Sequence, residues 1–132
     1  MTSAEAHHVF YVSRCVSSPE MLEQLLAHAR ERNARVGLSG ALWFTGGHFA
    51  QWLEGPPSVL SQTLQSISID PRHDSMRTLL EGPLPERRFG QWTMALLPAT
   101  GADDLMQQWL REPVVEPQRI LRFIERQGAP SS

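Results

Sequence analysis

Two runs of strand-forming residues, 38–45 and 48–54, flank the pair Gly46-Gly47. Two glycines between such runs specify a tight antiparallel hairpin, because glycine readily takes the positive φ that short hairpin turns demand. The hairpin in turn sorts side chains onto faces, since alternate residues of a strand share one. Phe49, Gln51 and Leu53 therefore point together, and Ala50, Trp52 and Glu54 point the other way. A glutamine thus sits between two large apolar side chains. A buried amide without partners costs about 1 to 3 kcal/mol, so the carbonyl and the NH2 of Gln51 must both be engaged.

Residues 8–13, His-Val-Phe-Tyr-Val-Ser, read as a first strand carrying Tyr11, the chain's single tyrosine. Ser17-Ser18-Pro19-Glu20 then opens a helix with a capping-box pattern and a proline in the first turn. Leu22, Leu25, Leu26 and Ala29 recur at helical spacing, and Asn33 continues the same stripe as a second amide on an apolar face. A second helix is expected over 58–69 from Leu60, Leu64 and Ile67, ending at Asp70-Pro71 because proline disfavours helix in the residue before it. Strands are expected over 76–81, broken by Gly82-Pro83-Leu84-Pro85, and over 92–97.

The order strand, helix, strand, strand, helix, strand is that of an α+β, ferredoxin-like βαββαβ domain, with two helices on one face of an antiparallel sheet. The fifth strand extends it. Two further helices, over 103–110 and after Pro117, are expected to cap the other face or to meet a partner. The division expected is a domain over 1–100 with a helical extension of the same domain over 101–132, frayed at 128–132.

With 132 residues, 41% hydrophobic and 20% charged, the chain suits one globular domain. A net charge of -2 and a pI near 6.2 give no general attraction to nucleic acid or to an anionic membrane. All 12 basic residues are arginine, so lysine-dependent Schiff-base chemistry is excluded. The single cysteine, Cys15, leaves no internal disulfide and no thiolate metal cluster. No apolar run approaches the roughly 20 residues that span a bilayer, and the N-terminus lacks a signal-type apolar region, so a cytoplasmic location is expected.

Tyr11, Asn33 and Gln51 are distant in sequence, yet this topology makes strands one and three neighbours and lays helix one over them. Such a convergence fits a flat polar ligand slotted between the helices, and it fits equally a satisfied buried network. Asp70, Arg72 and His73, at the end of helix two, read either as a local ion pair in a solvated turn or as an anion clamp. Arg87-Arg88-Phe89 reads as a structural anchor more readily than as a nucleic-acid patch, given the net charge. The histidines show no metal-ligand spacing, and no glycine pattern suits a dinucleotide or phosphate loop. Glu54 and Glu81 are set aside as a carboxylate pair because Glu54 faces away from Gln51.

Taken in order, Tyr11-Val12-Ser13, Asn33, Leu38-Ser39-Gly40, the pattern Phe49-x-Gln51-x-Leu53-Glu54-Gly55, Asp70-x-Arg72-His73 and Arg88-Phe89-x-x-Trp92-x-Met94 closely resemble the BLUF family, sensors of blue light using flavin. The resemblance covers about residues 7–97. Two positions depart from it: Ser39 stands where threonine is commoner, and Ala50 where a second phenylalanine is frequent. The resemblance implies a non-covalently bound flavin between the two helices, FAD first, with FMN or riboflavin as alternatives. It implies that Asn33 and Gln51 hydrogen-bond the ring's carbonyl and imide edge, with Gln51 bridging to Tyr11. Leu25, Ala29, Arg32, Phe49 and Ile67 would wall the ring, and Asp70, Arg72 and His73 would take the ribityl and phosphate end.

The implied photochemistry is electron and proton transfer from Tyr11 to excited flavin, followed by rearrangement of the Gln51 amide, whose donor and acceptor ends can exchange. Strand five, bearing Trp92 and Met94, and the C-terminal helices would relay the change to a protein partner or to another copy in a homo-oligomer. With no output module expected after residue 132, no enzymatic activity is implied. Two other readings stand beside it. One is a constitutive protein-interaction module on the same fold, with Gln51 a satisfied core amide. The other is a small acylphosphatase-like hydrolase, against which the lack of a glycine-rich loop after strand one counts.

Overall fold

The computed structural model describes residues 6–97, 99 and 101–126. In chain order its elements are β1 (Ala6–Cys15), α1 (Leu22–Val36), β2 (Ser39–Phe44), β3 (His48–Gly55), α2 (Pro57–Ser68), β4 (His73–Leu84), β5 (Ala95–Leu97), α3 (Asp103–Arg111) and α4 (Pro117–Arg126). The strands form one sheet in the order β4-β1-β3-β2-β5. The expected α+β, ferredoxin-like topology with an added strand and C-terminal helices is therefore present. One feature differs: β5 pairs with β2 in parallel, so the sheet is mixed and not purely antiparallel.

The hairpin of β2 and β3 turns at Gly46-Gly47 and sets the register Leu42 opposite Gln51 and Gly40 opposite Leu53. Close approach constrains Gly40, because a Cβ there would lie 2.0 Å from the Trp52 carbonyl oxygen. On its other side β3 pairs with β1, which places Tyr11 directly across from Gln51. The pairing of β1 with β4 slips between Phe10 and Tyr11 and again between Val12 and Arg14. Bulges of this kind re-aim side chains beside functional sites, and these two bracket Tyr11.

Several boundaries differ from the sequence expectation, and those of β4 and β5 do so for identifiable reasons. β4 does not stop at Glu81 but runs on through Gly82 and Pro83 to Leu84. It lies at the sheet edge, where a proline can turn its missing donor to solvent without removing a ladder bond. β5 is shorter than expected, starting at Ala95, so Trp92 and Met94 lie in the segment leading into it and not on the strand itself. That segment still touches the sheet edge, where Gly40 N–H donates to the Trp92 carbonyl at 3.1 Å. At the start of α1, Pro19–Met21 forms a single tight turn, Met21 N–H to Ser18 carbonyl at 3.2 Å, and Ser18 makes no side-chain cap.

The two faces of the sheet carry separate apolar clusters. Val9, Leu42, Phe49 and Leu53 lie under Leu26 and Ala29 of α1 and Leu60 of α2. On the opposite face Phe10, Val12, Trp43, Ala50 and Trp52 lie under Met106 and Trp109 of α3 and Ile120, Phe123 and Ile124 of α4. The C-terminal helices thus cover the second face, one of the two dispositions the sequence left open. Arg77 of β4 secures α3, donating to the carbonyls of Trp109, Glu112 and Pro113 at its C-terminal end. Ala50 faces this second cluster, so the small residue loosens nothing on the first face. The expected frayed end at 128–132 lies outside the described residues.

Candidate functional site

Between α1 and α2 the first face opens into a cleft lined by Tyr11, Leu25, His28, Ala29, Arg32, Leu42, Phe49, Gln51, Ile67, Asp70, Arg72 and His73. About 480 Å³ of empty space, part of it open to solvent, lies among these side chains. The helical spacing of α1 supplies one wall: Leu25, His28, Ala29 and Arg32 are three and four residues apart and share a stripe. Ile67 comes from the last turn of α2, and the floor comes from alternate residues of three adjacent strands.

At the closed end Tyr11 donates its phenolic proton to Gln51 Oε1. The other end of the amide, Gln51 Nε2, points to Met94 Sδ at 3.6 Å. Both amide ends are engaged, as a buried glutamine requires. Burial pushes the Tyr11 phenol above its ordinary range, opposed by the nearby charge of Arg32 and reinforced by that of Asp70. Tyr11 is accordingly held as a protonated donor. Burial also lowers the Arg32 guanidinium, whose charge opposes the upward shift of the phenol.

Asn33 is fully buried but stands one step away from this pair. Its Nδ2 donates to the Thr93 carbonyl at 2.5 Å, and its Oδ1 accepts from Arg32 Nε at 3.2 Å. It meets Tyr11 and Gln51 through the segment that contains Thr93 and Met94, not by direct contact. Arg30 Nε adds a further bond from α1 to that segment, to the Met94 carbonyl at 2.9 Å. Met94 is buried and faces inward, whereas Trp92 is half-buried and packs with the cluster on the opposite face.

At the open end Arg72 clasps Asp70 through Nε and Nη2, at 2.9 and 2.6 Å, while the Arg72 amide caps the same carboxylate at 2.9 Å. The Arg72 hydrogen bonds hold the Asp70 carboxyl below its ordinary range, and the same contact raises the Arg72 guanidinium. His73 bridges elements, Nδ1 to Ser13 Oγ at 2.7 Å and Nε2 to the Ile67 carbonyl at 2.6 Å. Of the expected site residues, the cleft collects all but Asn33, Trp92 and Met94; Met94 backs Gln51 at the closed end, Asn33 holds the adjoining Thr93 carbonyl, and Trp92 packs on the opposite face.

Sequence reasoning missed His28 and Leu42. Both were legible in principle, His28 from the stripe of α1 and Leu42 from the hairpin register opposite Gln51. It also missed the role of Glu54, fully buried on the far face and bonded to four donors. Arg87-Arg88-Phe89 is the anchor expected of it: two of those donors are the amides of Arg88 and Phe89. Among the described residues no cluster of three or more His, Cys, Asp or Glu side chains is placed to hold a metal ion. Among the same residues no helix is long and apolar enough to cross a membrane.

The cleft suits a flat heteroaromatic ring: apolar walls on two helices, with an amide and a phenol at the closed end. The family model described as sensors of blue light using FAD matches residues 6–95. The chain is 38% identical over 88 residues to the blue light- and temperature-regulated antirepressor BluF of Escherichia coli (strain K12), covering 65% of this chain and 22% of that protein. It is 35% identical over 77 residues to the photoactivated adenylate cyclase subunit beta of Euglena gracilis, covering 58% of this chain and 9% of that one. It therefore spans less than a quarter of the length of either relative. In structure it superposes on BlrB, a BLUF protein in its dark state, with a TM-score of 0.78 and 28% identity over 97% of this chain and 98% of that one. The chain belongs to the BLUF family, the sensors of blue light using FAD.

Proposed function

We propose that this chain is a light switch whose moving part is the Gln51 amide, set by Tyr11 on one side and read by Met94 on the other. The observation that carries this reading is the unbroken line from the Tyr11 phenol through Gln51 to Met94 Sδ at the closed end of an apolar cleft. Leu25, Ala29, Phe49 and Ile67 would wall the ring of FAD, with Arg32 at the rim and Asn33 and Gln51 toward its polar edge. Asp70, Arg72 and His73 would take the ribityl and phosphate end.

Bound flavin supplies absorption of blue light and, once excited, an oxidant strong enough to draw an electron from a phenol. Tyr11 is the phenol in place, and Gln51 Oε1, which already accepts its hydrogen bond, is the acceptor for its proton. Gln51 can then exchange its donor and acceptor ends by rotation or tautomerisation, because an amide carries both. When the electron and the proton have both returned to Tyr11 nothing has been consumed, and the lasting change is which end of one amide donates and which accepts. Met94, Trp92 and the following β5, α3 and α4 would pass that change on. The switch would act on a protein partner or between copies of a homo-oligomer, in the cytoplasm, without turning over a substrate. The helices of residues 101–132 would belong to the same domain as residues 1–100.

An absorption spectrum of the purified protein before and after blue illumination tests this directly. The expected result is a flavin band that shifts reversibly to the red and returns in darkness. A protein that is colourless and fails to take up added FAD overturns it.

A further inference from the structure

Glu54 lies on β3 three residues beyond Gln51 and faces the opposite side of the sheet, where it is fully buried. Its carboxylate accepts four hydrogen bonds. Oε1 takes Trp52 Nε1 and the Arg88 amide, both at 2.8 Å, and Oε2 takes Ser39 Oγ at 2.7 Å and the Phe89 amide at 2.8 Å. Arg87 closes the arrangement, donating from Nη1 to Ser39 Oγ at 3.1 Å and from Nη2 to the Gly37 carbonyl at 2.9 Å. A buried carboxylate is tolerable only with such a set of partners.

Three of the four donors are N–H groups that cannot reverse their role, and they are split between the two oxygens. Only a group that accepts at both ends serves them all; an amide, with donors at one end, cannot. The residue type is thereby specified for a reason that ordinary core packing does not supply. The segment so held is the one that ends at Met94. From Phe89 the chain makes a turn closed by Trp92 N–H to the Phe89 carbonyl at 3.0 Å, and then passes Thr93 to Met94 beside Gln51. Gly40, Asn33 and Arg30 each tie one carbonyl farther along it. Glu54 differs from these in binding two consecutive amides, which fixes the direction of the chain and not merely one point on it.

We propose that Glu54 is a positioning residue for the Gln51 amide: it orients the 88–94 segment on β3 so that Met94 Sδ meets Gln51 Nε2. The inference rests on the reading of Gln51 and Met94 as the switching pair. One strand then holds both the amide that moves and the carboxylate that aims its listener, one on each face of the sheet.

The test follows the Met94 methyl carbon by NMR in 13C-methionine-labelled protein, with and without FAD, in darkness and under blue light. Glu54→Gln keeps the shape of the side chain but offers acceptors at one end only. Arg88→Pro deletes one of the two segment amides at an exposed position, and Arg88→Ala keeps the amide as its control. The expected result is that Glu54→Gln and Arg88→Pro shift or broaden the dark Met94 signal even without FAD, and lose its displacement under light. Arg88→Ala should retain both. In the FAD-loaded variants the lifetime of the light-shifted spectrum should change while FAD is still taken up. A folded Glu54→Gln or Arg88→Pro protein with the parent Met94 signal and the parent lifetime overturns the proposal. Failure of the parent protein to respond to light refutes the switching role of Gln51 instead, because the FAD-free Met94 signal reports the positioning independently.

Discussion

Tyr11 and Gln51 face each other across the β1–β3 pairing, and the phenol donates to the amide oxygen. Antiparallel pairing puts directly opposed side chains within about 4.5–5.5 Å at Cβ, so the contact follows from register and needs no loop to deliver it. Bulges on the β4 side of β1 bracket the same tyrosine. The backbone of both residues is tied into the strand ladder, and the amide carries both a donor and an acceptor end.

Tyr11→Phe should therefore abolish the reversible red shift while leaving the fold and flavin uptake in place. The substitution keeps the ring and removes the donor, so Gln51 Oε1 loses its partner in a buried site. An unsatisfied buried acceptor costs about 1–3 kcal/mol. A denaturant titration beside the light-minus-dark spectrum checks both effects, and a retained shift would remove Tyr11 from the relay.

Asn33→Ala separates a switch from a constitutive interaction module. The Asn33 Nδ2 bond to the Thr93 carbonyl fastens α1 to the residue before Met94. Its loss should destabilise the chain by about 1 kcal/mol, the low end of the roughly 1–3 kcal/mol for an orphaned buried group, because the Thr93 carbonyl is only part-buried. It should also alter the lifetime of the light-shifted state, because the segment leading into Met94 is then held by one bond fewer. Full tolerance in both stability and spectrum favours the module.

What could be read from the sequence was whatever repeats locally. Gly46-Gly47 fixed the hairpin, the hairpin fixed the faces, and the faces singled out Gln51 before any partner was known. The stripe of α1 likewise singled out Asn33, but not its partner Thr93, which lies 60 residues away. Glu54 was visible as a glutamate facing away from the site. Its partners Arg88 and Phe89, 34 and 35 residues on, leave no periodic trace that would mark them. The end of β4 was misplaced because Pro83 breaks a strand only if that strand is internal, and edge position is a property of the whole sheet. The amphipathic pattern of α3 and α4 showed that they bury a face; which face of the sheet receives it depended on contacts with Phe10 and Trp43.

The Asp70–Arg72 pair at the mouth of the cleft should give stability a specific acid limb. The Arg72 hydrogen bonds depress the Asp70 carboxyl in the folded chain. A depressed carboxyl contributes stability above its unfolded pKa, near 3.9, and that contribution disappears as pH falls through the lower, folded value. Asp70→Asn should therefore melt lower than the parent at neutral pH, with the gap closing as the medium becomes strongly acidic. Thermal melts of both proteins from pH 7 downward test this. A gap independent of pH would mean that the pairing adds nothing through ionisation.

Gly40→Ala asks how closely the sheet must approach for the site to form. A Cβ at residue 40 would lie 2.0 Å from the Trp52 carbonyl oxygen and 3.1 Å from its carbon, both backbone atoms of the neighbouring strand. Backbone cannot rotate away as a side chain can, so β2 and β3 must separate or shift. Overpacking of this kind costs about 1–3 kcal/mol or more, and the upper end is expected here because the displaced atoms belong to a central strand. Leu42 and Gln51 ride on the same pairing, and Gly40 N–H also holds the Trp92 carbonyl. The substitution should thus weaken FAD uptake along with stability, whereas Gly82→Ala, with nothing within 4 Å of its added carbon, should strain its own backbone but leave uptake alone. Chemical denaturation and FAD titration of the two variants side by side measure the difference. Equal FAD uptake by both would show that the strand pairing at Gly40 does not set the shape of the cleft.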